Sequence, residues 1–209
     1  MPDALTRRST ARLRPFSTAP DPRTGPRAAH DSTRAAPLRS APKGDTDVEL
    51  AALASLIAAT VTTGLMAGLF FAFDVSVMPA LKRCDDRTLI EVMQRINTAI
   101  VNGWFLTGFL GALLFTGLAL ALHLAGGGAG RVTAPLTAAL IAYALALAVT
   151  GRTNIPLNNA LEQAGPADRV PDPAAVRRAF ESRWVPANRR RTFLCTIALA
   201  CLAWTLTAR

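Results

Sequence analysis

A small set of amides, one tryptophan and one arginine are the residues of this chain whose types and spacing could do chemistry. Asn154 and Asn158 flank the proline of Asn154-Ile155-Pro156-Leu157-Asn158, Trp184, Asn188 and Arg191 follow downstream, and Asn97 stands upstream. Uncharged donors and a guanidinium stabilise oxygen atoms on which negative charge develops. The same groups also cap helix ends and tie loops together, and spacing alone leaves both readings open. Asparagine competes for backbone hydrogen bonds and proline removes a donor, so the stretch from Asn154 to Asn158 is predicted to end or bend a helix.

Other chemistries find little material. Cys84 falls in a loop, and Cys195 and Cys201 lie six apart and off one helical face, without metal-ligand spacing or an even count for a disulfide set. The histidines are His30 and His123, too few for a metal site or a Ser-His-Asp triad. Gly126 to Gly130 follows an apolar run and precedes Arg131, which reads as a tight turn and not a phosphate loop. No metal and no cofactor is expected.

The elements that must position these residues are apolar. Leu50 to Phe73 carries no charge and is long enough to cross a hydrocarbon core of about 30 Å at about 1.5 Å per residue. Further apolar runs predict spans at about 101–124, 133–151 and 192–208, the last short enough for its flanking arginines to snorkel. The fold class expected is therefore all-α, an integral membrane four-helix bundle, and a soluble bundle of this size would not need four such runs. Thr46-Asp47-Val48-Glu49 has capping-box spacing and is predicted to start the first helix. Gly64 and Gly68, four apart, would let a neighbouring helix approach closely.

Two amphipathic loop helices are expected on one membrane face. Met78-Pro79-Ala80-Leu81 is predicted to turn the chain, after which Asp85 or Asp86 caps a helix with apolar Leu89, Val92, Met93, Ile96 and Ile100. Between spans three and four, Asp172-Pro173 starts a second loop helix on which Val176, Phe180, Trp184 and Asn188 recur every four residues. Pro186 is predicted to kink or interrupt it. In an up-and-down bundle the amides and Arg191 all fall at this same end.

Residues 1–46 are different material, with nine Lys or Arg against four Asp and many Pro, Ser and Thr. They cannot build a core and are expected to form a disordered basic tail, or to be an over-extension of a reading frame that begins near Val48; an organellar leader would need an amphipathic stripe that these prolines interrupt. The four-span membrane domain is then 47–209. The formal charge of +9 owes much to this tail, and no basic stripe with interleaved aromatics lies on a foldable element, so lipid and not nucleic acid is the expected partner. Twelve Lys or Arg in the first and third loops, against Arg131 and Arg209 on the other side, predict that those loops face the cytoplasm.

Gly68-Leu69-Phe70-Phe71-Ala72-Phe73, Val77-Met78-Pro79-Ala80-Leu81, Met93-Gln94-x-Ile96-Asn97, Asn154-x-Pro156-Leu157-Asn158 and Trp184-x-x-x-Asn188-x-x-Arg191-Thr192 resemble the anthrone oxygenase-like family of four-helix membrane proteins. The resemblance covers roughly residues 48–207. Asp74 departs from the small residue usual at that position. Most bacterial members have no assigned function, and the resemblance implies a cell-membrane protein. Fungal members are taken to oxidise anthrones to anthraquinones with dioxygen and without metal or flavin. The resemblance thus implies a small aromatic substrate and dioxygen as partners, an apolar slot, and donors on an oxyanion from Asn154, Asn158, Asn188 and Arg191. Trp184 or Phe180 would stack on the substrate beside Asn97, and Asp74 is the nearest candidate base. The alternative is a non-catalytic membrane protein in which the same residues lock the loop helices and bind a lipid or a partner protein.

Overall fold

The computed structural model describes residues 43–128 and 130–208, all of them helical or in short connections. The basic tail expected over 1–46 lies outside the described residues as far as 42. Helix α1 spans Lys43–Ala72, so Thr46 falls inside the first turns of the helix and is not its N-cap. The apolar run alone does not set where the helix begins, because helix propagates into any flanking residues that tolerate it.

At the other end of α1 the chain does not turn at Pro79. A π-turn, Phe73–Val77, passes into α2, Met78–Leu81, and the reversal comes only after Leu81. Within it the Met78 N–H reaches the Phe73 carbonyl, five residues back. Pro79 then sits in the first turn of the segment that follows, where its missing donor is tolerated. Helix α3 spans Asp86–Ile100 and is capped by Asp85, whose carboxylate accepts from the Thr88 N–H at 3.0 Å and the Thr88 hydroxyl at 2.6 Å. It buries Leu89, Ile90 and Met93. Helix α4, Gly103–Ala125, is capped by Asn102, which accepts from the Phe105 N–H.

The second half repeats the device. Helix α5, Thr133–Val149, passes through a π-turn, Thr150–Asn154, into α6, Ile155–Gln163. The Ile155 N–H reaches the Thr150 carbonyl, and Pro156 follows at the same offset as Pro79 after the first π-turn. The helix expected to end or bend at Asn154 thus continues to Gln163. Helix α7, Pro173–Thr207, is one unbroken element of 35 residues, about 52 Å long at the helical rise, so Pro186 does not interrupt it. Pro186 is exposed and lines a surface groove together with Ser182, the residue four back whose carbonyl a proline cannot serve. The loop helix and fourth apolar run expected as separate elements are therefore one rod.

Helices α1, α4, α5 and the second half of α7 share a core centred on Leu56, Phe70, Tyr143, Cys195 and Leu202. The tight approach of α1 to α4 runs past Gly108, where an added Cβ would lie 3.0 Å from Met66, while at Gly111 the nearest α1 atom, on Thr62, would be 3.9 Å away. Gly64 and Gly68, the glycines expected to do this, meet only an ordinary contact and open space. Their Cα atoms lie on α1, but the close crossing is fixed by the small residues of its partner.

The outward faces are apolar in turn: Leu53, Ile57, Val61 and Leu65 on α1, and Leu110, Leu114 and Leu118 on α4, are exposed at helical spacing. Three helices, Thr46–Leu81, Gly103–Ala125 and Thr133–Gln163, are long and apolar enough to cross a membrane. Such stripes on such helices imply a lipid bilayer around them.

A second core, of Phe73, Leu81, Ile90, Met93, Leu161, Phe180 and Trp184, lies at the loop end. Side chains staple this end. Gln94 donates to the carbonyls of Leu161 and Gly165 at 2.8 and 2.9 Å, and Arg87 donates to the Ala167 carbonyl. Arg177 on α7 pairs with Asp86 and Glu181 and donates to the carbonyls of Cys84 and Lys82. Its side chain is largely covered, so these bonds are less screened than surface pairs. Arg177→Met should therefore lower the stability of the detergent-solubilised protein by about 1.5–3 kcal/mol, read as a drop in Tm against an exposed control such as Arg95→Met.

Candidate functional site

Between the two cores lies a cavity of about 330 Å³. Its walls are apolar: Leu69, Phe70 and Phe73 from α1 and the first π-turn, Met93, Ile96 and Ile100 from α3, Phe105 and Phe109 from α4. The polar groups that interrupt this lining are Asn97, Thr150, Asn154, Asn158, Asn159 and Arg191, with Trp184 beside them. The lining supplies no carboxylate, imidazole or thiol.

Two asparagines of equal burial define what is distinctive. Asn188 is 0% exposed and fully employed: its Nδ2 donates to the Phe70 carbonyl at 2.9 Å and to Asp74 Oδ1 at 2.7 Å, and its Oδ1 accepts from Arg191 at 2.7 Å. Asn154 is 1% exposed, and neither its Oδ1 nor its Nδ2 has a protein partner. The Nδ2 of Asn97 and the Nε of Arg191 are likewise buried without one. A buried polar group left without a partner costs about 1–3 kcal/mol, and nearly all buried polar groups in folded proteins are paired. Apart from the Thr63 hydroxyl on α1, the buried side-chain atoms without a partner among the described residues belong to residues that line this cavity.

Arg191 is held for that position. Its guanidinium carbon lies 4.2 Å from the centroid of the Phe70 ring and 5.5 Å from that of Trp184, while Asn188 fixes one terminal nitrogen. The ion pairs among the described residues do not include it. Asp74 comes nearest in role, since its other oxygen accepts from the Thr192 hydroxyl and Asn188 bridges it to Arg191. A cation stacked on aromatic faces and lacking a direct carboxylate presents its remaining donor to whatever fills the cavity.

Trp184 is positioned from both sides. Its Nε1 donates to Asn158 Oδ1 at 2.9 Å, and its ring packs against Phe73 and Phe180 at 5.5 and 5.8 Å between centroids.

Of the residues singled out in the sequence, Asn97, Asn154, Asn158, Trp184 and Arg191 meet at the cavity. Asn188 stands one shell behind, Phe180 backs Trp184 away from the cavity, and Asp74 opens on a separate polar groove lined also by Lys82, Glu181 and Arg189. Arg152, close to the amides in sequence, is exposed and does not line the cavity. The residues that sequence reasoning missed are the walls from α3 and α4. Phe105 and Phe109, four apart and stacked at 5.2 Å, were detectable only as a helical aromatic pair.

Fold and site together define an all-α protein with bilayer-compatible helices and an apolar, amide-lined cavity at one end of the helical core. Residues 104–201 match the family model described as anthrone oxygenase. The matched stretch contains Asn154, Asn158, Trp184, Asn188 and Arg191, but not the cavity residues of α1 and α3. No curated protein and no solved structure matches the chain.

The contrast between the two asparagines yields a stability test. Asn154→Leu should leave the Tm unchanged or raise it, because an unpaired buried amide is replaced by an apolar group of similar size. Asn188→Leu should cost about 3 kcal/mol, because it strands both Asp74 and the Arg191 guanidinium. Thermal unfolding of the two purified variants in one detergent checks both.

Proposed function

We propose that this protein is a cofactor-independent oxygenase of an anthrone-like aromatic substrate, built as a four-helix bundle in the membrane. In this reading α1, α4, α5 and the second half of α7 span the bilayer as one domain over 47–209. Helix α3 and the first half of α7 are the loop helices of one face, and Arg189 and Arg190 anchor α7 at the lipid interface on the cytoplasmic side. The observation that carries the functional reading is the convergence of unpaired Asn154, Asn97 and Arg191 donors on an apolar cavity whose volume lies within the roughly 300–1,000 Å³ of small-molecule sites. The match of residues 104–201 to the anthrone oxygenase family model supports it.

The chemistry asks little of the protein. An anthrone loses a proton from its methylene carbon to water at the polar edge of the cavity, which leaves an electron-rich enolate. Arg191 Nε and Asn154 Nδ2 donate to the enolate oxygen, and Trp184 and Phe73 stack on the ring system. The enolate carbon reduces dioxygen, forming a C–O bond, and protonation of the distal oxygen gives a hydroperoxide. Loss of the second proton from that carbon then breaks the O–O bond, leaving a carbonyl and releasing water. Anthrone and dioxygen thus become anthraquinone and water. Asn158 orients Trp184, Asn188 and Asp74 orient Arg191, and Phe180 supports Trp184.

One observation favours a non-catalytic binder of lipid or a partner protein, namely that no acid or base side chain lines the cavity. An assay separates the two. Membranes containing the protein, given an anthrone and oxygen, should form quinone faster than empty membranes, and Asn154→Ala or Arg191→Met should each lower kcat/KM about 10²-fold. No excess rate over empty membranes, or an undiminished rate in the double variant, rules out the oxygenase.

A further inference from the structure

The same cavity differs sharply in how its sides are closed. Toward the loops it is roofed: Met93, Ile96 and Asn97 of α3 lie over it, and Gln94 and Arg87 fasten α3 to the carbonyls of Leu161, Gly165 and Ala167. Toward the span core it is floored by Phe70, Phe109 and Thr150, with Tyr143 bonded to the Phe109 carbonyl at 2.8 Å beneath. On the flank between α4 and α6 the lining is different. Val101, Leu106 and Ile155 all line the cavity and yet are 68%, 41% and 47% exposed.

Packing explains the opening. Helix α4 lies close against α1 along its length and packs more sparsely on α5, while α4 and α6 have no comparable shared interface. Of the exposed residues that line the cavity, Val101, Leu106 and Ile155 are aliphatic and Asn159 is an amide, and Leu106 continues the exposed apolar stripe that α4 presents through Leu110 and Leu114.

We infer that the cavity opens sideways into the bilayer through the seam between the first turns of α4 and α6, and that its ligand is a neutral, lipid-dissolved aromatic molecule that arrives from the leaflet. The inference rests on reading the cavity as a ligand site, but not on oxidation taking place there. An aliphatic rim presents no barrier to an apolar ring system already in the acyl region, whereas a charged molecule would have to shed its hydration to pass. The stapled roof narrows the shorter route from water for a molecule of this size. Inside, the molecule exchanges lipid for Trp184, Phe70 and Phe73 at little hydrophobic cost. The unpaired donors of Asn154 and Arg191 then supply what the bilayer lacks, hydrogen bonds to an oxygen.

The experiment follows ligand arrival by Trp184 fluorescence in a Trp104→Phe/Trp204→Phe background, with the protein reconstituted in phosphatidylcholine vesicles. Two probes are compared, 1,8-dihydroxyanthraquinone preloaded in the lipid and anthraquinone-2-sulfonate added to water. The lipid-borne probe should quench Trp184 and the sulfonate should not. Val101→Phe/Ile155→Phe, on exposed positions, should slow the association rate about tenfold while leaving the final extent of quenching largely intact, and Leu106→Phe should slow it in the same direction. Asn154→Ala should instead speed dissociation. Equally fast quenching by the sulfonate, unchanged association in both rim variants, or no quenching by either probe overturns the proposal. Rim-controlled quenching without quinone formation from an anthrone would sink the oxygenase and keep the portal; turnover indifferent to the rim would do the reverse.

Discussion

Asn188 is the hub through which the site is held. It sits at 0% exposure on α7 and reaches the backbone of α1 at Phe70, the carboxylate of Asp74 in the first π-turn, and the guanidinium of Arg191. Without it a carboxylate and a cation would face one another across apolar packing with no geometry imposed. With it, Asp74 supplies counter-charge at one remove, and Arg191 keeps a free donor for the cavity. The bond to the Phe70 carbonyl also fixes α7 against α1 at the level where Phe70 stacks beneath Arg191. One amide thus sets the helix register and the orientation of the cation.

The two π-turns supply the backbone for this arrangement. Phe73–Val77 precedes Pro79, and Thr150–Asn154 precedes Pro156, at identical offsets. A π-turn shifts the hydrogen-bond ladder by one residue, and a proline placed just after it costs less because its missing donor falls in the opening turn of the segment that follows. The first brings Phe73 and Asp74 to the loop end of α1, and the second brings Thr150 and Asn154 to the corresponding end of α5. The cavity lies between them.

Three of the four expected spans were legible because long uncharged apolar runs have one physical explanation in a chain of this length, and the caps at Asp85 and Asp172 were legible because an N-cap is a local bond. The prolines were misread for the complementary reason. Their local preference is to break a helix, and at Pro79 and Pro156 a π-turn absorbs that preference, while at Pro186 packing of α7 overrides it. The alternation of apolar runs and loops put the amides at one end, and Asn97, Asn154 and Asn158 line a single cavity. What divides Asn154 from Asn188 is not in the sequence at all, since both are asparagines near a proline and only the neighbours from α1 and α7 decide which one is satisfied. Asp74 was similarly given to the site by its position along the chain, whereas in three dimensions it faces the polar groove behind Arg191.

Helix α7 runs unbroken from Pro173 to Thr207. Arg177 near its start is tied to the turn after α2, and Trp184 and Arg191, seven residues apart, both line the cavity. A helix is a ruler graduated in angle as well as length, each residue turning about 100°. The number of residues from Arg177 to Arg191 therefore cannot drift without swinging the guanidinium off the aromatic rings. The nearby connection from Ala164 to Asp172 is held differently, by the Gly165 and Ala167 carbonyls that accept from Gln94 and Arg87. One residue inserted between Arg177 and Arg191 would turn Arg191 by about 100° about the helix axis.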